Sequence, residues 1–380
     1  MNYYIIVGEP SGDLHASNLM KSLKRVDPEA TFRFWGGPLM AAVGGSMVRD
    51  YHDTAVMGVW DVITHLGKIQ KNFKLCRKDI GENRPDALIL VDYPGFNLPM
   101  AEWAHKQGIP TLYYISPKVW ASKEYRIKSM KKNIDRLYSI MPFEPEYFSK
   151  HQLTNVFYCG NPVMDAIEQR PNKDESFQAF CTKNGLDARP KIALLPGSRV
   201  SELKYNLPEM MRLVKQFPNY EFVIAGAPSF QAADYDKFLA GNPVPVVFGQ
   251  TYQLVTFARA AVVTSGTATL ETGVLACPQI VMYLMWGGGF ADWVAHLFIK
   301  VPFISLVNLI LGREAVSELF QKKYSFERLR GELEELLADT DRRRTMLADY
   351  AELQAKVGGA GCSDRAAEDM VAFLSSKRSL

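Results

Sequence analysis

The pattern that most restricts this chain is a short apolar run that stops at a Gly, Pro or Ser turn and is followed by a helix-spaced apolar stripe. It opens the sequence. Residues 3–7 (YYIIV) lead into GEPSGD at 8–13, and Leu14, Leu19, Leu23 and Val26 then fall on one helical face. The unit recurs at 31–35, 87–91, 112–116, 136–140 and 156–159. Apolar runs of this length bounded by turn residues read as buried strands, and strands that alternate with helices form a parallel sheet. At 170–175 the chain becomes polar (RPNKDE) and reads as a linker. The alternation then restarts at 192–195, 222–225, 244–248, 261–264 and 280–284. The expectation is an α/β protein with two doubly wound, Rossmann-like domains facing a cleft. The first spans 1–170 and the second 176–357. A glycine-rich break at 358–361 precedes a last helix within 361–380, which either folds back on the first domain or exchanges with a partner chain. A chain of 380 residues, 47% of them apolar, is long enough to build two cores.

Charge and cysteine usage exclude several classes. A net charge of +3 gives no polyanion-binding tail, so no nucleic-acid partner is expected. The five cysteines are odd in number, widely spaced and without a CxxC pair, which argues for a reducing compartment and against structural zinc. The N-terminus has no basic region and reaches Glu9 too early for a signal peptide. Residues 272–291 carry no formal charge, but Pro278 and the Gly287, Gly288, Gly289 triplet interrupt them, so helix then strand fits better than a membrane span. The chain reads as soluble or membrane-peripheral.

In the first half, the turn after the opening strand is not GxGxxG, and Glu9 and Asp13 would repel a pyrophosphate. With Ser11, it reads as a lip for neutral hydroxyls or for acid–base work. His15 reads as structural. Val59, Val62, Ile63, Leu66, Ile69 and Phe73 are helically spaced between 59 and 78, Trp60 adds apolar surface, and lysines gather at the far end. This is either a core helix with a solvated basic face or a helix lying on an anionic membrane. The strand 87–91 runs into Asp92. A carboxylate at the carboxyl end of a buried parallel strand sits where such sheets bind ligands, and apolar neighbours would raise its pKa toward that of a useful base. A helix is expected to begin near Leu98, with Pro94 and Gly95 leaving Asp92 too far upstream to be a simple cap.

In the second half, IALLPGSR at 192–199 reads as strand, tight turn and helix, with Ser198 as cap and Arg199 in the first turn. A cation at an already positive helix start suggests a bound phosphate, and a surface arginine after a tight turn is the alternative. Ser265, Gly266 and Thr267 form a small-residue turn before a helix, open to a second phosphate contact. Glu271, one turn on, would accept from a ribose diol or form a capping box with Thr267. The turn around Gln250 would frame a planar base with backbone groups. Together these describe a nucleotide-diphosphate site with no P-loop lysine motif and no metal cluster. Residues 286–311 are apolar and aromatic and are bordered by Arg313, Glu318 and Gln321. They fit a substrate with greasy and polar parts, or a buried helix pair.

The turns GEPSGD (8–13), GGPLM (36–40), AVMG (55–58), VDYPGFN (91–97), YISPKVWA (114–121), MPFE (141–144), LLPGSR (194–199) with Glu202, SGTATLE (265–271) and NLILGRE…ELFQ (308–321) occur in the order and nearly the full span of bacterial lipid-A-disaccharide synthases, which the chain closely resembles. The resemblance implies an inverting, metal-independent GT-B glycosyltransferase without cofactor. Such an enzyme joins UDP-2,3-diacylglucosamine to 2,3-diacylglucosamine 1-phosphate (lipid X) through a β-1,6 bond and releases UDP. It would work from the cytoplasm, peripherally on the inner face of the inner membrane, with membrane lipids as partners and a homodimer as one outcome of helix exchange. The resemblance makes Asp92 the base and Arg199 the diphosphate ligand, and gives phosphate and ribose to the 265–267 turn and Glu271. It brings Asn308, Arg313, Glu318 and Gln321 to the donor sugar. Val59, Trp60, Ile63, Leu66 and Trp286 become acyl-chain or membrane contacts. The chain departs from the family at Gly95, where some members carry a second acid, and at Asn161, which replaces a common His. The competing readings are another GT-B enzyme using UDP-N-acetylglucosamine (a soluble-acceptor transferase or a 2-epimerase) and a non-catalytic, membrane-peripheral nucleotide-binding protein.

Overall fold

A computed structural model describes residues 1–54, 66–239, 241, 243–285 and 302–378, and the chain divides into two compact units, Met1–Asp165 with Ala360–Leu380, and Ala166–Gly359. The first unit holds a sheet of β1 (Asn2–Ile6), β2 (Thr31–Gly36), β3 (Ser46–Asp50), β4 (Ala87–Val91), β5 (Thr111–Tyr114), β6 (Arg136–Ser139) and β7 (Val156–Tyr158), in the order β3-β2-β1-β4-β5-β6-β7. Every pairing is parallel, with Tyr3 beside Phe32 on one side and beside Ala87 on the other. β4 is buried along its whole length, as expected for a central strand covered on both faces. The core on one face joins Tyr4, Ile6, Leu88 and Leu90 to Phe96, Met100 and Ala104 of the helix Pro94–Lys106.

The second unit holds β8 (Lys191–Leu195), β9 (Glu221–Gly226), β10 (Val246–Phe248), β11 (Ala258–Thr264), β12 (Gln279–Tyr283) and β13 (Ser317–Phe320), ordered β10-β9-β8-β11-β12-β13 and again parallel throughout. Both sheets are therefore doubly wound α/β sheets. The sequence pattern misses β3 and β13, the outermost strands on one side of each sheet. β3 (SMVRD) is exposed or half-buried along its length, and β13 (SELF) carries a glutamate inward, so neither shows a continuous apolar run.

The last helix, Cys362–Arg378, folds back on its own first unit. Asp165 accepts from the backbone N–H of Cys362 (3.0 Å) and Ser363 (2.8 Å), which caps the helix, and Arg136 grips Asp369 through two bonds of 2.9 and 2.6 Å. All five cysteines are buried free thiols. Among the described residues no helix is long and apolar enough to cross a membrane.

Candidate functional site

In an open parallel sheet, ligands bind outside the carboxyl ends of the strands where the winding direction reverses. In the first sheet that point lies between β1 and β4, because β2 and β3 extend to one side and β5 to β7 to the other. The turn after β1 brings Gly8 and Glu9 there, with Ser11 in the first turn of the helix that follows, and the loop after β4 brings Asp92.

Asp92 and Tyr93 both adopt left-handed backbone, with φ of 43° and 48°. Two adjacent non-glycine residues in this region cost energy and persist only where their surroundings hold them. Here the Asp92 N–H donates to the Tyr114 carbonyl (3.1 Å), and the Asp92 carbonyl accepts from the Tyr113 hydroxyl (2.5 Å) and Asn97 Nδ2 (2.8 Å). The Tyr93 ring lies against Gly8, where a Cβ would come within 2.3 Å of it. The helix starts at Pro94 rather than near Leu98, because Pro suits the first helical position. Asp92 is thus one residue ahead of the Tyr93 cap position. Burial pushes the Asp92 carboxyl up to about 6. Lys118 draws it down, Glu9 and Glu144 push it up, and the Tyr93 N–H bonds its charged form. This is the range a general base needs near neutral pH.

Ser11 Oγ donates to Glu9 Oε1 (3.0 Å), and Glu9 stands at the start of the helix Pro10–Val26 without capping it. Asp13 corrects the expectation for this lip. It is buried and accepts from the N–H of Gly37 (3.0 Å), Leu39 (3.0 Å) and Met40 (3.1 Å), so it holds the next helix and has no part in a ligand edge. Burial pushes His15 down to about 4 against the pull of Asp165, leaving it neutral. Asn161 caps its own turn by donating to the Ile140 carbonyl (3.1 Å) and accepting from the Val163 N–H (3.0 Å).

The winding of the second sheet reverses between β8 and β11. At the end of β8, Gly197 takes φ of 105°. The helix begins at Val200, so Arg199 stands before its first turn and Ser198 is not the cap. Arg199 is the cap residue, and Glu202, three residues on, reaches back to accept from the N–H of Ser198 (2.8 Å) and Arg199 (3.2 Å). The Arg199 side chain is 66% exposed, with one contact of 3.4 Å to Glu202. At the end of β11, Gly266 and Thr267 are exposed at the start of the helix Thr267–Val274, and Ser265 Oγ bonds the Ile304 carbonyl (2.7 Å). An exposed guanidinium and an open helix start therefore flank one switch point, an arrangement suited to an anion.

Other expected site residues are engaged elsewhere. Glu271 forms no capping box with Thr267; its carboxylate accepts from the Tyr252 hydroxyl (2.9 Å), and burial pushes its pKa up. The Gln250 amide pairs with Asn184 (2.9 and 3.3 Å), while the neighbouring Gly249 takes φ of 67°. Asn308, expected at a donor sugar, is fully buried. It accepts from the N–H of Ala315 (2.8 Å) and Val316 (2.9 Å) and donates to the Val316 carbonyl (2.9 Å) and to Glu318 (2.8 Å), which spends its capacity inside the fold. Glu318 also caps the turn at Ile304 (3.0 Å) and Ser305 (2.9 Å). Arg313 turns to Asp349 (2.6 Å) and Glu352 (2.5 Å). All three are held by partners within the second unit. Gln321, at φ of 43°, keeps a buried Nε2 without a protein partner at the end of β13. Val59, Trp60, Ile63 and Trp286 lie outside the described residues, as does the side chain of Leu66, the first residue of the helix Leu66–Asn83.

Two contributors were not singled out by sequence reasoning. Glu144 is buried and accepts from Ser116 Oγ (2.7 Å), Trp120 Nε1 (3.0 Å) and the N–H of Ile140 and Met141 (2.9 Å each), which ties the loops after β5 and β6 together. Lys118 is exposed in the turn between Ser116 and Trp120. Both stand in strand-end motifs, but only the strand order puts them beside Asp92.

A family model described as lipid-A-disaccharide synthetase matches residues 3–368. The lipid-A-disaccharide synthase of Myxococcus xanthus is 35% identical over 377 residues, covering 97% of each chain. That of Syntrophotalea carbinolica is 36% identical over 371 residues, covering 96% of this chain and 93% of its own. Among solved structures, the UDP-GlcNAc 2-epimerase of Neisseria meningitidis bound to UDP-GlcNAc matches with a TM-score of 0.68 at 11% identity, covering 98% of this chain and 100% of its own. The kitacinnamycin glycotransferase matches with a TM-score of 0.64 at 14% identity, covering 98% of each. At these identities the two structures speak for the fold alone.

Proposed function

The chain belongs to the lipid-A-disaccharide synthase family and is a glycosyltransferase of lipid A biosynthesis, and from that premise we propose that it joins UDP-2,3-diacylglucosamine to 2,3-diacylglucosamine 1-phosphate with release of UDP. The observation that carries the reading is Asp92, a desolvated carboxylate with a pKa of about 6 at the switch point of the first sheet. Asp92 takes the proton of the acceptor 6-hydroxyl as its oxygen attacks C1 of the donor sugar. The C1–O bond to the diphosphate breaks, its electron pair leaves with UDP, and the anomeric centre inverts to a β-1,6 linkage. Asp92 then returns its proton to water.

Charge gathers on the leaving diphosphate as the bond breaks. Arg199 and the helix start at Gly266 and Thr267 support its stabilisation by a guanidinium and backbone N–H groups rather than by a metal ion. Ser198, Ser265 and Gln321 fit contacts to the nucleotide sugar. Glu271 would contact a ribose only by sharing its carboxylate with Tyr252. Glu9 and Ser11 fit neutral hydroxyls of the acceptor, because a carboxylate there repels phosphate. The lipid substrates support a peripheral position on the cytoplasmic face of the inner membrane.

The test is disaccharide formation and UDP release by the purified protein with both lipid substrates and EDTA. Product under EDTA is the expected result. Absence of disaccharide, with turnover of unacylated UDP-N-acetylglucosamine, would replace this reading with the soluble-substrate alternative.

A further inference from the structure

The strands β1, β4 and β5 are neighbours in the first sheet, and the loops that leave their carboxyl ends carry Glu9, Asp92 and Lys118. These residues form a row across the sheet edge: a carboxylate, the base, and an ammonium. The row has a direction, because its two ends carry opposite charge. Lys118 is presented by a fixed loop. Ser116 and Trp120, on either side of it, both donate to Glu144 Oε1, and the Ser116 N–H bonds the Tyr138 carbonyl (3.1 Å). The Ala121 N–H closes the turn on the Lys118 carbonyl (3.1 Å). Among the described residues no carboxylate lies in ion-pair range of the Lys118 ammonium, and the side chain is exposed. A cation held at a ligand edge on a rigid turn and left without an anion suits an anionic group of a ligand.

Resting on the function proposed above, we propose that Lys118 is a specificity-determining residue that receives the anomeric phosphate of the acceptor sugar, while Glu9 excludes that phosphate from the opposite end of the row. In 2,3-diacylglucosamine 1-phosphate the nitrogen is acylated and neutral, so the single charged group is the phosphate at C1, and the reacting hydroxyl at C6 lies toward the other end of the ring. With the phosphate drawn to Lys118 and repelled by Glu9, the ring lies along the row with one defined end toward each loop. The distal end of the ring, which carries the 6-hydroxyl, is then the end offered to Asp92.

The same lysine acts on Asp92 through its field. The groups that face Asp92 are Glu9 after β1, Tyr93 beside it, Tyr113 on β5, Lys118 after β5 and Glu144 after β6. Of these, Lys118 is the cation, so its removal raises the Asp92 pKa, and a bound phosphate that neutralises it does the same.

The experiment compares wild type, Lys118→Gln and Lys118→Arg on two acceptors, 2,3-diacylglucosamine 1-phosphate and its dephosphorylated form. Acceptor binding is measured without donor, alongside kcat and KM. Wild type is expected to prefer the phosphorylated acceptor by roughly ten- to a hundred-fold, the range of a charge-assisted contact. Lys118→Gln loses most of that preference by weakening only the phosphorylated acceptor, and Lys118→Arg restores it. The acid limb of kcat/KM moves to higher pH in Lys118→Gln. An unchanged preference in Lys118→Gln, or equal losses on both acceptors, overturns the proposal. Failure of the function itself reads differently: wild type would then make no disaccharide at all, whereas the binding comparison still reports on Lys118.

Discussion

Replacing Asp92 by Asn should abolish most activity and, at the same pH, make the protein more stable. The fold raises the Asp92 pKa from 3.8 to about 6, chiefly by burial. Below pH 3.8 the carboxyl is protonated whether the chain is folded or not. Between 3.8 and about 6 the unfolded chain ionises first, so rising pH favours unfolding. Above about 6 both states are ionised and the penalty is complete. A shift of this size corresponds to about 3 kcal/mol. Asn avoids the penalty, can still accept from the Tyr93 N–H, and tolerates left-handed backbone as well as Asp does. The stability of Asp92→Asn relative to wild type should therefore rise with pH across this window and level off near pH 7, by at most about 3 kcal/mol. For a unit of this size that is roughly 6–12 °C in the unfolding midpoint. Other carboxylates titrate in the same window, but they cancel in the difference. The assay is thermal unfolding of both proteins from pH 4 to 8, paired with kcat, which should fall by roughly 10²- to 10⁴-fold as for a lost general base. A stability difference that is flat with pH would refute the desolvated carboxylate. Retained activity would refute the base.

Arg199→Ala should lower kcat by roughly 10²- to 10³-fold and leave stability within about 0.5 kcal/mol, because its exposed side chain makes one 3.4 Å contact, to Glu202, among the described residues; steady-state kinetics and a denaturation curve check both. Asn308→Ala should do the opposite, costing about 2–4 kcal/mol by stranding the groups around residues 315–318 while leaving the donor KM of the folded fraction little changed. Gly8→Ala forces a Cβ to within 2.3 Å of the Tyr93 ring; the expected outcome is a loss of about 1–3 kcal/mol together with a fall in kcat larger than any change in KM.

The fold was legible because central strands of a parallel sheet are buried on both faces and write themselves as apolar runs, as β4 (ALILV) and residues 192–195 of β8 (IALL) do. The candidate site residues are legible where a charge sits on the loop at a strand's carboxyl end: Asp92 directly follows its apolar run, and Arg199 follows its own after a Pro-Gly-Ser turn. Asn308 and Glu318 show the limit. In sequence, a buried amide braced by four hydrogen bonds looks the same as one offered to a sugar, since both are polar residues in a specific motif. Asp13 is the same case, an acid beside a glycine turn whose bonds all go inward to residues 37–40. Lys118 was hidden for a different reason. Its neighbour in space is 26 positions away in the chain, and the pairing of β4 with β5 brings the two together.

In the function proposed above the two switch points carry opposite chemistry, and the proposed reaction requires each to be as it is. A base that takes a proton near neutral pH has to be desolvated and kept from strong cations, since either water or a close guanidinium would return its pKa to the ordinary carboxylate range. Asp92 meets both conditions: burial is the largest influence on it, the lysine that opposes burial is exposed, and two carboxylates add to the rise. A leaving diphosphate needs the reverse, a cation and free N–H groups. Arg199 and the Gly266–Thr267 helix start offer these without a nearby unpaired acid, because Glu202 is occupied by the backbone of its own turn. Moving a cation toward Asp92, as in Tyr93→Arg, should therefore shift the acid limb of kcat/KM to lower pH and weaken the base, with donor binding unchanged.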